Sequence, residues 1–444
     1  MVYCGCAAVF AGRNIAYSLL EMKNILIQKA VIVDQESPFH LQRKDILVKD
    51  GIISAIEDDI AEQADAEVFS GDDIYVSNGW MDLRANFWDP GFEHKEDLIS
   101  GCEAAAYGGF TNVALLPETS PNVATKSQVE YLISKTANQL VNIYPLAAIA
   151  PDKENKSISE MYDLANAGAL AFSSGYRAID NYSFLLHAMQ YAWGIGKKLM
   201  LFSQNKSVTG NGIVNEGVVS VQIGTKSAPA LAEAIEVNNL IMLSRYANIP
   251  VHISCISTKQ GLDLIINARN EGLQVTADIS IQHLYFNEEA LLGFDTNFKL
   301  RPPLRTEEDR LALCDALLKY DFLQVVSDHT PHEEDSKHCE FELASYGTAS
   351  LQTVFSQLLN IYGIEKMPQL VTILANRPRQ VFDLPKQNIA TGKNADLTIF
   401  SPNHIWELNE KTSKSKSKNN PLWNTSLTGK ALAIANKGKF RILS

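Results

Sequence analysis

The sequence predicts an α/β fold: a (β/α)8 TIM barrel with a small β-sandwich domain formed by the N- and C-terminal segments. Three observations predict it. Brief apolar runs alternate with helical-period segments between residues 79 and 385, eight such runs can be counted, and β-type patterning flanks the series on both sides. Strands spaced by helices make βαβ units and a parallel sheet. Eight of them match a closed barrel.

The elements follow in order. Residues 22–78 carry "ILIQKAVIVD", "KDILVKDGIISAIE" and "AEVFSGDDIYVSNGW", punctuated by the turn pairs Asp50-Gly51 and Gly71-Asp72. Alternation with such turns gives a small antiparallel sheet. The barrel runs are "VSNGWMDLRA", "TNVALLP", "NIYPLAAIA", "ALAFSS", "KLMLFSQ", "PVHISCIS", "QVTADIS" and "FLQVVSDH". From 386 onward "NADLTIFSP" and "ALAIANKGKFRI" return to β character, so the two termini are expected to pair in one accessory unit. The predicted division is therefore an extension (1–21), the first part of the β domain (22–78), the barrel (79–385) and the second part of the β domain (386–444). Met22 opens a clean strand pattern, and translation is expected to start there rather than at Met1.

Bulk properties exclude several classes. A chain of 444 residues with 46% hydrophobic and 20% charged content is that of a folded globular protein. A net charge of −12 argues against a nucleic-acid footprint. The basic run "EKTSKSKSKNN" (410–420) reads as a solvated, mobile loop. The six cysteines are scattered, as in a reduced cytoplasmic protein, and no apolar run is long enough for a membrane span.

Barrel chemistry sits where strands end. Alternate residues of a strand point the same way, which puts Arg84 and Asn86 side by side at the mouth of the first barrel strand. A guanidinium has no lone pair to offer a metal, and an amide oxygen is a weak zinc ligand.

The stretches "MDLRANFWDPG", "LLPETSP", "RPPLRTEEDR", "VSDHTPH" and "NIATGKNADLTIF" resemble the dihydroorotases, in the hydantoinase-related branch of the cyclic amidohydrolases. The likeness runs from about residue 24 to near the end. It implies reversible cleavage of dihydroorotate to carbamoyl aspartate, with one or two zinc ions activating a water. Carried over residue by residue, it places Arg84 and Asn86 where the family has metal histidines, and Trp88 where an arginine holds the substrate carboxylate. Glu118 stands for a substrate asparagine, Ser173 or Ser174 for a bridging carboxylate, Phe202 and Cys255 for further metal histidines, and Arg301 for another substrate asparagine. Asp328, the family's metal ligand and general base, and the substrate-holding His332 are retained.

A catalytic zinc takes about three protein ligands. Cys255 and Asp328 could supply two, and neither His252 nor His283 has a spacing that promises a third. His252 reads as a satisfied core histidine and Cys255 as a small buried hydrophobe. Asp328 and His329 are read first as helix caps or backbone ligands. A sharper reading makes the Arg84 guanidinium a protein-borne replacement for the metal charge beside Asp328.

The expectation is thus a metal-free dihydroorotase homologue without hydrolytic activity, needing no cofactor. By resemblance it is expected to be a homodimer and a structural partner of aspartate carbamoyltransferase. The alternatives are an active hydrolase of dihydroorotate or a related cyclic amide with an atypical site, and a small-molecule binding or sensing protein in whose old cleft Arg301, Trp88 and His332 hold an anionic ring.

Overall fold

The computed structural model describes residues 24–152 and 154–443. The expected start at Met22 lies outside the described residues.

Eight parallel strands form the barrel in chain order: Trp80–Ala85, Phe110–Leu115, Asn142–Ala148, Ala171–Ser173, Leu199–Phe202, Val251–Ser254, Val275–Ser280 and Leu323–Val326. All eight coincide with the apolar runs. Helices cover their outer faces, so both sides of each strand are removed from water and the runs read as continuously apolar rather than alternating. The first strand, WMDLRA, is buried at every residue. Short polar groups start the helices that follow. Asp97 and Ser100 form a capping box on Leu98–Tyr107, and Thr306 caps Glu307–Lys319, whose first turn is acidic.

The eighth strand closes on the first through side chains and a single bridge. Ala85 bridges His329, and the Asn86 amide donates to the His329 carbonyl at 2.8 Å. Deeper in the same seam, the Ser327 amide and hydroxyl donate to Asp82 at 2.7 and 2.6 Å. Burial raises the Asp82 carboxyl to about 7, with these two hydrogen bonds opposing the shift.

Both terminal segments build one mixed sheet beneath the barrel. Tyr75–Asn78 is its hinge: it pairs parallel with Asn24–Ile32 and antiparallel with Leu397–Glu407. Trp80 joins sheet to barrel, packed within 6.2 Å of the rings of Phe110, Phe355 and Phe400. Arg379 pins the same junction, donating to the Gly79 carbonyl at 2.9 Å and to Asp396 at 3.0 Å.

The basic run does not behave as a solvated loop. Residues 410–420 lie between the strands Leu397–Glu407 and Ser426–Asn436 and reach across to the barrel mouth. Ser417, Asn419 and Asn420 are buried. The Lys414 amide donates to Gln352 at 2.7 Å, the Lys416 amide to Glu96 at 3.2 Å, and the Ser417 hydroxyl to the Lys95 carbonyl at 2.9 Å. Asn419 donates to the carbonyls of Thr330 and Gly347 and accepts from the His332 amide at 3.1 Å. Lys411 and Lys418 face water, Lys414 lies over the Tyr107 ring, and Ser417, Asn419 and Asn420 turn inward, roles that composition alone does not separate. Among the described residues no helix is long and apolar enough to cross a membrane.

Candidate functional site

The barrel mouth has two unlike halves. Over the first and eighth strands it is packed shut around Arg84, which is fully buried. Its Nε donates to Asp328 Oδ1 at 2.9 Å and an Nη to the Gly175 carbonyl at 3.2 Å. The guanidinium lies 4.3 Å from the ring centre of Tyr176 and 5.8 Å from that of Phe202. The remaining Nη has no hydrogen-bond partner and is held only against this aromatic wall.

Asp328 is 8% exposed and also accepts from the Tyr176 hydroxyl at 2.7 Å. Tyr176 in turn is 2.7 Å from the Thr330 hydroxyl, and the Asn86 amide donates to both at 3.2 and 3.3 Å. Burial raises Asp328 above the usual carboxylate range, with Arg84 and Tyr176 opposing the shift. Burial and the facing Asp328 push the Tyr176 phenol up. The first reading of Asp328 as a helix cap is therefore corrected: its recorded hydrogen bonds go to Arg84 and Tyr176. His329 does accept from backbone, taking the Ser350 amide on Nδ1 at 3.0 Å.

The backbone is strained where these side chains turn inward. Asp328, Cys255 and Trp88 have φ of 50°, 55° and 60°, left-handed conformations uncommon outside glycine. Gly175 has φ +61°, and a Cβ there would stand 1.8 Å from Glu118 Oε1. Glycine takes this left-handed turn without strain, and a side chain there would have to displace the Glu118 carboxylate.

The neighbouring histidine is a satisfied core residue. His252 lies 2.8 Å from both Thr276 Oγ1 and Asp278 Oδ2, and Asp278 also accepts the Cys255 amide at 2.7 Å. Burial acts to raise Asp278, but the His252 hydrogen bond and the charges of His252 and Arg84 bring it below its usual value. Cys255 is buried, and burial pushes its thiol well up. His283 is engaged elsewhere, near the carbonyls of Pro302 and Pro303, and burial lowers it to about 4.

The predicted substrate residues are split between the halves. Trp88 and His332 pack at a tilt with ring centres 5.6 Å apart, Lys95 sits 4.8 Å from the Trp88 centre, and the Trp88 indole donates to the Pro331 carbonyl at 2.8 Å. His332 Nε2 is 2.9 Å from the Tyr346 carbonyl, and Arg301 stacks on the Tyr346 ring at 4.2 Å. Glu118, Arg301 and Phe202 line a cavity of about 530 Å3 over the third to fifth strands, whereas Trp88, His332, Arg84 and Asp328 are not part of its wall. Sequence reasoning missed Tyr176, Thr330 and Asp278. The alternation along "VTADIS" could have pointed to Asp278, but Tyr176 in "SSGYR" sits in a loop with no periodicity to mark it.

Residues 74–261 match the family described as Dihydro-orotase-like. The chain is 34% identical over 419 residues to a dihydroorotase of Geotalea daltonii, covering 94% of this chain and 98% of that one. The chain belongs to the dihydroorotase family. A dihydroorotase of Ruminiclostridium cellulolyticum is 35% identical over 381 residues, 85% of this chain and 89% of that one. In fold the chain is similar to the L-hydantoinase (dihydropyrimidinase) of Arthrobacter aurescens, with a TM-score of 0.80 at 20% identity over 95% of this chain and 98% of that one.

This membership corrects the expectation of no cofactor. Relatives over nearly the whole length are dihydroorotases and the fold neighbours hydantoinases, metal-dependent enzymes, so a metal comes with the family. A structure without ions is no evidence against one. The side chains around Arg84 do not, however, fit the group. Among the described residues no three His, Cys, Asp or Glu side chains are grouped to hold a metal, and the mouth of the first strand offers a cation and an amide.

Proposed function

We propose that this dihydroorotase-family chain is a pyrimidine-pathway homologue that has lost cyclic-amide hydrolysis at the barrel mouth. On this reading the family's metal-ligand positions are replaced at Arg84, Asn86, Phe202 and Cys255. The chain acts as a structural partner of aspartate carbamoyltransferase. The observation that carries it is the engagement of Asp328 by Arg84 and Tyr176 in a nearly dry pocket. A general base must reach the water it activates. A carboxylate bonded to a guanidinium and a phenol, 8% exposed, is poorly placed to do so.

The same pair supports a structural role. Removing one member of a buried ion pair costs about 3–5 kcal/mol because the other is left uncompensated. Arg84 on the first strand thus ties the ends of the fourth and eighth strands together through Gly175 and Asp328.

The partner is tested by mixing the purified chain with aspartate carbamoyltransferase of the same organism and measuring mass by light scattering after size exclusion. A complex of fixed stoichiometry at low salt is expected; separate elution of the two would remove the partnership. A second reading, an active dihydroorotase with an atypical site, draws on the full-length likeness to dihydroorotases. Zinc-dependent turnover of dihydroorotate that disappears in Asp328→Asn would favour it.

A further inference from the structure

The open half of the mouth is built differently from the closed half. Its cavity of about 530 Å3 falls within the size range of small-molecule sites. One wall is the excursion 205–230 between the fifth strand and the helix Leu231–Ala247. The opposite wall is Leu300–Pro303 with Tyr346.

Three cations line it: Arg177, Lys206 and Arg301. None has an acidic partner within 4.0 Å among the described residues, and Arg301 is held in place by its stack on Tyr346. The same wall carries three acids, and of the cations Arg177 and Lys206 are exposed. Glu118 already accepts the Tyr176 amide, Asp152 accepts the amides of Glu154 and Lys156, and Asp180 is exposed. Gln204, 6% exposed and part of the wall, has an amide nitrogen with no hydrogen-bond partner. A buried unpaired donor costs about 1–3 kcal/mol, which a ligand acceptor would recover.

We propose that this cavity binds a phosphorylated small molecule, with Arg177, Lys206 and Arg301 facing the phosphate and Gln204 donating to the ligand. One guanidinium is enough for a carboxylate, which it grips bidentately. A phosphomonoester, about −1.5 to −2 at neutral pH, offers enough acceptor oxygens to engage Arg177, Lys206 and Arg301 together, none of which has a carboxylate within 4.0 Å among the described residues. The space left beyond the phosphate takes a sugar-sized group. Arg84 and Asp328 are not part of this wall, although Tyr176 and Phe202, which pack against Arg84, are.

The test is calorimetric titration of the full chain with inorganic phosphate, ribose 5-phosphate, ribose and orotate. Saturable binding of phosphate or ribose 5-phosphate is expected, with none for ribose. Arg301→Ala and Arg177→Ala should weaken it about tenfold or more, the loss of one charged hydrogen bond. Trp88→Ala, outside the cavity, should leave it unchanged, and melting temperatures report whether each variant is folded. Arg301→Lys, which keeps the charge, should retain part of the affinity. The proposal is overturned if neither phosphate compound binds saturably, if binding survives both arginine variants, or if orotate binds more tightly than ribose 5-phosphate.

Discussion

The two halves of the barrel mouth share a scaffold and differ in what their cations do. Over the first and eighth strands, Arg84 is fully buried and committed to Asp328, the Gly175 carbonyl and the Tyr176 ring. Over the third to fifth strands, Arg177, Lys206 and Arg301 line open space without acidic partners. A cation sealed against a carboxylate contributes to the fold. One left without a partner at a cavity is free for a ligand.

The largest effect expected from breaking this contrast is in the closed half. Arg84→Met leaves Asp328 buried and uncompensated and should lower stability by about 3–5 kcal/mol, read as a fall in denaturation midpoint. Asp328→Asn in the Arg84→Met background should restore part of the loss, since the uncompensated carboxylate is gone. Equal, additive losses in the two single variants would mean that the pair is not coupled.

A smaller effect is expected at the strap formed by residues 410–420, which borders this half. Asn419→Ala removes bonds to the Thr330 and Gly347 carbonyls and to the His332 amide, and should cost about 1–3 kcal/mol by urea denaturation. A truly solvated segment would show no change.

The next effect is one of pH. Burial, with the charges of Lys95 and Lys337, lowers His332 from 6.5 to about 3. The unfolded chain therefore binds a proton below 6.5 that the folded chain refuses, and this contribution to stability is present above 6.5 and lost as pH falls toward 3. Asp82 works in the opposite sense: raised to about 7, it favours the folded state at low pH and loses that contribution as pH rises through 7. His332→Gln should make the acid limb of melting temperature against pH shallower. An unaltered limb would place the proton uptake elsewhere.

The smallest effect belongs to the strap's surface charge. Lys416, paired with Asp97 while partly exposed, should cost less than about 1 kcal/mol on change to alanine, and less still at high salt.

The same contrast explains what was legible in the sequence. Each barrel strand announced itself as an apolar run between helical segments, because burial on two faces leaves that signature whatever the neighbours are. The Arg84 and Asp328 pairing was also legible, since strand alternation and the likeness to dihydroorotases put both at one mouth. Tyr176 was not, because it reaches Asp328 from a loop turned by Gly175, and the turn leaves no period. The strap was misread for a related reason: "KTSKSKSKNN" has a solvated composition, and its burial depends on Glu96, Gln352 and His332, all distant in sequence. Trp88 and His332 were placed with Arg301 by analogy to a substrate site, yet the structure seats them outside the cavity that Arg301 lines.

The proposed loss of hydrolysis rests on the packing of Asp328 against Arg84 and Tyr176. The most direct measurement is turnover of dihydroorotate, and of carbamoyl aspartate in the reverse direction, by the purified chain with zinc supplied. The account predicts no rate above the protein-free control in either direction, for the native chain and for Asp328→Asn alike. Turnover by the native chain that Asp328→Asn abolishes would contradict it.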